Sequence, residues 1–152
     1  MDLSDVINEE IVLMDLKGSN KEEIIKELVK LLEKTGKISS PDKFVKAVLD
    51  REKLGSTGIG KGIAIPHGKV EGATGVLVAL GISKKGVDFD ALDDKPVHSV
   101  FLIAASPENS SKYLQTLAKL SRMVRSADFR ETLINAETST DVIKNILEYE
   151  EE

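Results

Sequence analysis

The sequence predicts an α/β domain, a small mixed β-sheet covered by helices on both faces, on three observations. Residues 75–82 and 97–105 are near-continuous apolar runs rich in β-branched side chains, five other segments repeat apolar residues at helical spacing, and a glycine-rich stretch over 55–68 interrupts the two patterns. Runs of eight or nine apolar residues are too short and too tightly bounded to favour helices. They read as central strands buried on both faces.

Each element follows from its own signals. Ile11-Val12-Leu13-Met14-Asp15-Leu16 is a β-prone run. Asn20 then stands where an N-cap is expected, ahead of Lys21-Glu22-Glu23 and apolar positions 24, 25, 28, 29, 31 and 32, so a helix should run to near Gly36. Ser40-Pro41 supplies a second cap with proline at the first helical position, and Phe44, Val45, Val48 and Leu49 carry a second helix to about Leu54. Glycines at 55, 58, 60, 62 and 68, with Pro66, rule out a regular helix between 55 and 68; the stretch reads as a shaped loop with a brief extended segment at Ile63-Ala64-Ile65. Beyond Pro107, helical patterns occupy about 109–124 (Leu114, Leu117, Leu120, Met123, Val124), 127–136 (Phe129, Leu133, Ile134) and 140–149 (Val142, Ile143, Ile146, Leu147). No period of repeat length is present, and 152 residues suit one self-sufficient core, so residues 1–152 are expected to form a single domain.

Composition removes several functions. A net charge of -5 without a basic block argues against nucleic-acid binding. No window approaches the roughly 20 apolar residues that span a bilayer. The start MDLSDVINEE is acidic where a secretory signal is basic and then apolar, which places the chain in the cytoplasm without membrane insertion. With no cysteine and only two histidines, His67 and His98, neither a disulfide nor a structural metal site is expected, and no cofactor is called for.

The chemistry concentrates in Gly55-Ser-Thr-Gly-Ile-Gly-Lys-Gly-Ile-Ala-Ile-Pro-His67-Gly68. Its first seven residues imitate a phosphate loop, but residue 62 is glycine where a Mg²⁺-binding hydroxyl is needed, and the stretch follows a helix rather than a strand. A dinucleotide fingerprint fails too, because Ile63 occupies a position that needs glycine or alanine. The glycines suit a cradle of main-chain N–H groups that approaches an anion. His67 ends the stretch between Pro66, which restricts how the ring is presented, and Gly68, which leaves room beside it. Imidazole is nucleophilic near neutral pH, so one histidine can relay a phosphoryl group without a metal. The plainer alternative is a surface histidine in a turn. Between residues 51 and 69, Arg51, Lys53, Lys61 and Lys69 face only Glu52, a local positive potential that suits an incoming phosphate.

The run from Arg51 to Lys69, REKLGSTGIGKGIAIPHGK, resembles the active-site signature of the fructose/mannitol-class enzyme IIA of the sugar phosphotransferase system, a family that includes nitrogen-regulatory paralogues. The likeness extends through Val12–Leu16, Asp93–Val97 and Leu114–Ala118. It implies that His67 accepts a phosphoryl group, on Nε2, from the phosphohistidine of the carrier HPr and passes it to a IIB domain of a sugar permease. Arg51 matches the family's active-site arginine and would neutralise the phosphoryl oxygens. Read by itself, Arg51 is equally a helix-end residue that satisfies terminal carbonyls. Thr57, Gly58, Gly60, Gly62, Pro66 and Gly68 are the supporting positions of the same run. Tyr113 stands where many members have a second histidine; its hydroxyl can donate a hydrogen bond but carries no positive charge. His98, at the start of a buried run, is expected to be structural. The alternative within the same resemblance is a nitrogen-regulatory role, in which His67 phosphorylation switches binding to regulatory partners, and Gly55–Gly60 is somewhat closer to that branch. Apolar side chains are expected around His67, as a docking patch for both partners.

Overall fold

The computed structural model describes residues 1–151. Its spine is an antiparallel pair, β5 (Val76–Val87) and β6 (Val97–Ala105), in register from Val76 opposite Ala105 to Ile82 opposite Ser99. Nearly every residue of both runs is buried, as a strand covered on two faces requires. β5 continues five residues past its expected end because the pairing shifts after Ile82 and resumes at Val87 opposite Val97. His98 sits beside this irregularity, its Nδ1 donating to the Ser83 carbonyl at 2.9 Å.

The short strand β1 (Val12–Leu13) pairs parallel to β5. It is shorter than the Ile11–Leu16 run, because Ile11 closes a 3-10 turn and only the Leu16 N–H, bonded to the Ile82 carbonyl, continues the line. On one face lie α1 (Lys21–Glu33) and α2 (Pro41–Lys53); α3 (Ser110–Met123) covers the other, with α4 (Ala127–Asn135) against β5 and β6 and α5 (Ser139–Glu150) packed on α4. Asn20 caps α1 by accepting from the Glu23 N–H, and Ile24, Ile25, Leu28, Val29 and Leu32 form the buried stripe that their spacing predicts. Ser40 occupies the N-cap of α2 but makes no side-chain cap bond, so Pro41 alone marks that start. The buried face of α3 is Tyr113, Thr116, Leu120 and Met123; Leu114, expected inside, is 60% exposed because the stripe is rotated by one position. Among the described residues no helix is long and apolar enough to cross a membrane.

The glycine-rich stretch is more regular than a loop. It holds β2 (Gly58–Gly60), β3 (Ile63–Ala64) and β4 (His67–Lys69), and the sheet order is β1-β5-β6-β3-β2, with β4 also paired to β6. Both β3 and β4 run parallel to β6 on one edge, at Ile63 opposite Ser99 and at His67 opposite Ile103. Pro66 divides them because it has no N–H to offer, while its carbonyl accepts the Ile103 N–H at 3.0 Å. The turn joining β2 to β3 places Gly60, Lys61 and Gly62 successively at φ 98°, 59° and 82°, a left-handed series that two glycines make accessible.

Neighbouring residues of β4 point into opposite layers. His67 meets Tyr113 of α3, whereas a β-carbon on Gly68 would lie 3.2 Å from Val48 Cγ2 and 3.4 Å from Phe44 Cε1 of α2. Gly68→Ala is therefore expected to push α2 off the strand that carries His67. Urea unfolding should register a loss of about 1–3 kcal/mol, the usual cost of overpacking; an unchanged midpoint would mean that α2 yields freely.

Candidate functional site

His67 is half-buried on the edge strand β4. Its Nδ1 lies 2.8 Å from the Ile65 carbonyl oxygen. A carbonyl only accepts, so Nδ1 carries the proton and Nε2 keeps its lone pair. The backbone is fixed on both sides, by Pro66 to Ile103 and by the β4 ladder, which leaves the ring little freedom to turn.

The ring meets Tyr113 edge to face, with centroids 6.0 Å apart and planes at 61°. Lys69, two residues on and on the same side of β4, places Nζ 5.6 Å from the Tyr113 ring centroid and donates to Ser110 Oγ at 3.2 Å. Tyr113 is only 6% exposed, and that burial pushes its hydroxyl up to about 12 although the charge of Arg51 pulls the other way. The hydroxyl is thus a neutral donor at any physiological pH. Tyr113 is the common neighbour of His67 and Lys69, and the Arg51 charge acts on its hydroxyl from the end of α2. In a Tyr149→Phe background, phenolate absorbance should titrate with a midpoint near 12. The neutral phenol is the form favoured in the folded state, so its contribution to stability is complete below about pH 10 and is lost as pH rises through about 12. A midpoint near 10 would mean that the hydroxyl is open to water.

Arg51 Nη1 donates to the Gly55 carbonyl at 2.9 Å, just beyond the end of α2. The carbonyl-satisfying reading is thus realised, and the guanidinium charge still acts on the Tyr113 hydroxyl. Of the other two cations in the signature apart from Lys69, Lys53 pairs with Asp50 at 3.6 Å. Lys61 sits at the far turn of the β2–β3 hairpin, its N–H bonded to Asp93 Oδ2 at 2.9 Å. That bond and a second from the Lys95 N–H hold the Asp93 carboxyl below its usual range.

The expected main-chain cradle of Gly58, Gly60 and Gly62 around His67 is not formed. These glycines build the hairpin and pack against the 91–98 segment, where their absent β-carbons would meet Ala91, Asp93 and His98 respectively. Nearby donors are already used within the fold: the Gly58 N–H by Ser56 Oγ, the Lys61 N–H by Asp93 and the Thr57 N–H by Glu52. Gly62 lies opposite His98 at the start of β6, five residues before the partner of His67, roughly 16 Å along the strand.

Thr57 lies elsewhere than at the ring, in a buried cluster that the sequence reading missed. Its N–H is 3.3 and 3.2 Å from the two Glu52 carboxylate oxygens, and its hydroxyl donates to Glu52 as well. Glu52, 7% exposed, pairs with Lys21 Nζ at 2.9 Å. The available signal was Lys21 itself, a cation in the first turn of α1, where the helix dipole disfavours positive charge.

A groove of about 1060 Å³ runs between α1 and α2 and includes none of His67, Arg51 or Tyr113. His67 itself is neither sealed in the core nor fully exposed. Leu54, Ile59, Leu92 and Leu114 are exposed large apolar side chains, Leu54 to 84%. Leu54 follows Arg51 closely, Leu114 follows Tyr113, and the Leu92 N–H bonds the carbonyl of Gly58, next to Ile59.

Residues 5–149 match the family described as phosphoenolpyruvate-dependent sugar phosphotransferase system, EIIA 2. The chain is 35% identical over 150 residues to the fructose-specific EIIA component of Haloferax volcanii, covering 97% of each protein. It is also 35% identical to the fructose-specific EIIABC component of Bacillus subtilis, covering 99% of this chain but spanning only 24% of that longer protein. The crystal structure of nitrogen regulatory protein IIA-Ntr from Neisseria meningitidis superposes with TM-score 0.87 at 28% identity, over 95% of this chain and 98% of that one. The mannitol enzyme IIA of Escherichia coli, in complex with phosphorylated enzyme IIB, superposes with TM-score 0.78 at 29% identity, over 92% and 96%. Fold and matches define a phosphoryl-carrier protein of the phosphotransferase type. The chain belongs to the EIIA 2 family of the sugar phosphotransferase system.

Proposed function

We propose that His67 is the phosphorylated residue of this carrier, that it is charged by the phosphohistidine of an HPr-like protein, and that it discharges to a IIB domain. The observation that carries this reading is the Nδ1–Ile65 bond, which engages one ring nitrogen and leaves the lone pair of Nε2 to act as nucleophile. In the charging step that lone pair forms an N–P bond while the donor's N–P bond breaks and its electron pair returns to the donor imidazole. His67 keeps its Nδ1 proton, so the adduct is an imidazolium, whose N–P bond is readily broken by the next acceptor. The Ile65 carbonyl dipole favours that positive charge. Arg51 would balance the phosphoryl oxygens and Tyr113 would donate to one of them, a division of labour suited to a reaction governed by positioning and electrostatics. The exposed Leu54, Ile59, Leu92 and Leu114 would supply the apolar contact for both partners, and the work would take place in the cytoplasm.

The test is to incubate the chain with HPr, enzyme I and phosphoenolpyruvate, then add a IIB domain. Base-stable, acid-labile label on this chain that moves to IIB supports the proposal, and phosphorus NMR should place the phosphoryl group on Nε2. Absence of label would refute it. Label that stays on the chain when IIB is added, while phosphorylation alters which other proteins bind, would favour the regulatory reading. The likeness to IIA-Ntr supports keeping that second reading.

A further inference from the structure

The bond that sets the His67 tautomer is the last of a series that begins on the opposite face of the sheet. Lys21 Nζ lies 2.9 Å from Glu52 Oε2. The Glu52 carboxylate accepts the Thr57 N–H at 3.2 Å and the Thr57 hydroxyl. The Thr57 carbonyl accepts the Ile65 N–H at 3.0 Å, and the Ile65 carbonyl accepts His67 Nδ1–H at 2.8 Å. We infer that Glu52, held by Lys21, is a positioning residue for His67: by fixing Thr57 against Ile65 it keeps the ring in the Nδ1–H form with Nε2 free. Its value for activity rests on the reading of Nε2 as the phosphoryl acceptor; its effect on the tautomer does not.

Three physical points carry the inference. A carboxylate removed from water is costly unless it is fully paired, and Glu52 uses its oxygens on Lys21 and Thr57. Thr57 begins the edge hairpin, and its N–H and hydroxyl both go to Glu52, so the residue whose carbonyl meets the Ile65 N–H is itself anchored by that carboxylate. An unconstrained imidazole in water prefers the opposite tautomer, so the bond to Ile65 has to be held in place by its surroundings. Without the carboxylate, the buried Thr57 N–H and hydroxyl lose their acceptors and the segment shifts toward water. The flanking bonds from Ser56 Oγ to the Phe89 carbonyl at 3.0 Å and from the Leu92 N–H to the Gly58 carbonyl at 2.8 Å stay, so the fold survives the change.

The experiment uses the full unphosphorylated chain and three variants, Glu52→Ala, Glu52→Gln and Lys21→Met. Heteronuclear NMR of the ring nitrogens reports the His67 tautomer, and phosphoramidate, a small phosphoryl donor that needs no partner protein, reports reactivity. Glu52→Ala should move the ring toward the Nε2–H form and slow phosphorylation about tenfold. Glu52→Gln, which keeps an acceptor for Thr57, should stay within about twofold of the parent. A folded Glu52→Ala protein with the parental tautomer overturns the inference, as does a Glu52→Gln protein disturbed as much as Glu52→Ala. If Glu52→Ala fails to fold, Lys21→Met decides, with a smaller shift in the same direction supporting the inference and an unchanged tautomer overturning it. A parent chain that phosphoramidate cannot label would sink the reading of Nε2, while the NMR result would still decide the positioning role.

Discussion

Replacement of His67 by alanine is expected to abolish phosphoryl labelling by HPr while leaving the fold intact. The sheet does not depend on the imidazole: His67 is half-buried, its backbone pairs with Ile103 whatever the side chain, and its ring meets the Ile65 carbonyl and Tyr113 without joining the ladder. Loss of stability should stay below about 1 kcal/mol, as for other substitutions outside the core. The chain offers one other imidazole, on His98, and that ring is engaged with Ser83 across the β5–β6 irregularity. Residual base-stable label on a folded His67→Ala protein would show that the acceptor lies elsewhere. Full labelling would end the assignment.

The second large effect is expected from Arg51→Ala. The guanidinium stands at the end of α2, oriented by the Gly55 carbonyl, and its charge reaches the hydroxyl of Tyr113, the ring neighbour of His67; in the proposed function it balances the phosphoryl oxygens. Removal of one such group from a preorganised site typically costs two or more orders of magnitude, so transfer from HPr should slow by about 100-fold. The thermal midpoint should hardly move, because the bond to Gly55 lies at the surface. Arg51→Lys should recover little, since a point charge on a flexible stem cannot both bond Gly55 and face the phosphoryl oxygens. Equal rates for parent and Arg51→Ala would remove Arg51 from the mechanism.

Much of this was legible in residues alone. The helix stripes of α1 and the apolar runs of β5 and β6 state their own burial, because period and composition agree there. Pro66-His67-Gly68 announced a constrained histidine, and the structure adds the bond that chooses its free nitrogen. The glycines misled, because the conformational freedom that would make an anion cradle is the same freedom that makes a tight hairpin, and only the partners of their N–H groups tell the two apart. Leu114 misled in a related way: a helical stripe displaced by one residue still looks apolar, and Tyr113 fills the core position in its place. Lys21, a cation in the first turn of α1, was a signal that something offsets its charge, but its partner Glu52 could not be read because the pair joins two helices through tertiary contact.

The contact of one phenol, Tyr113, with both His67 and Lys69 offers an optical report on the state of His67. The chain has no tryptophan and only two tyrosines, so its ultraviolet emission is not swamped by indole. A dianion arriving beside one of those phenols, with Lys69 drawn toward it, should change that emission, and charging and discharging could then be followed in real time on unlabelled protein.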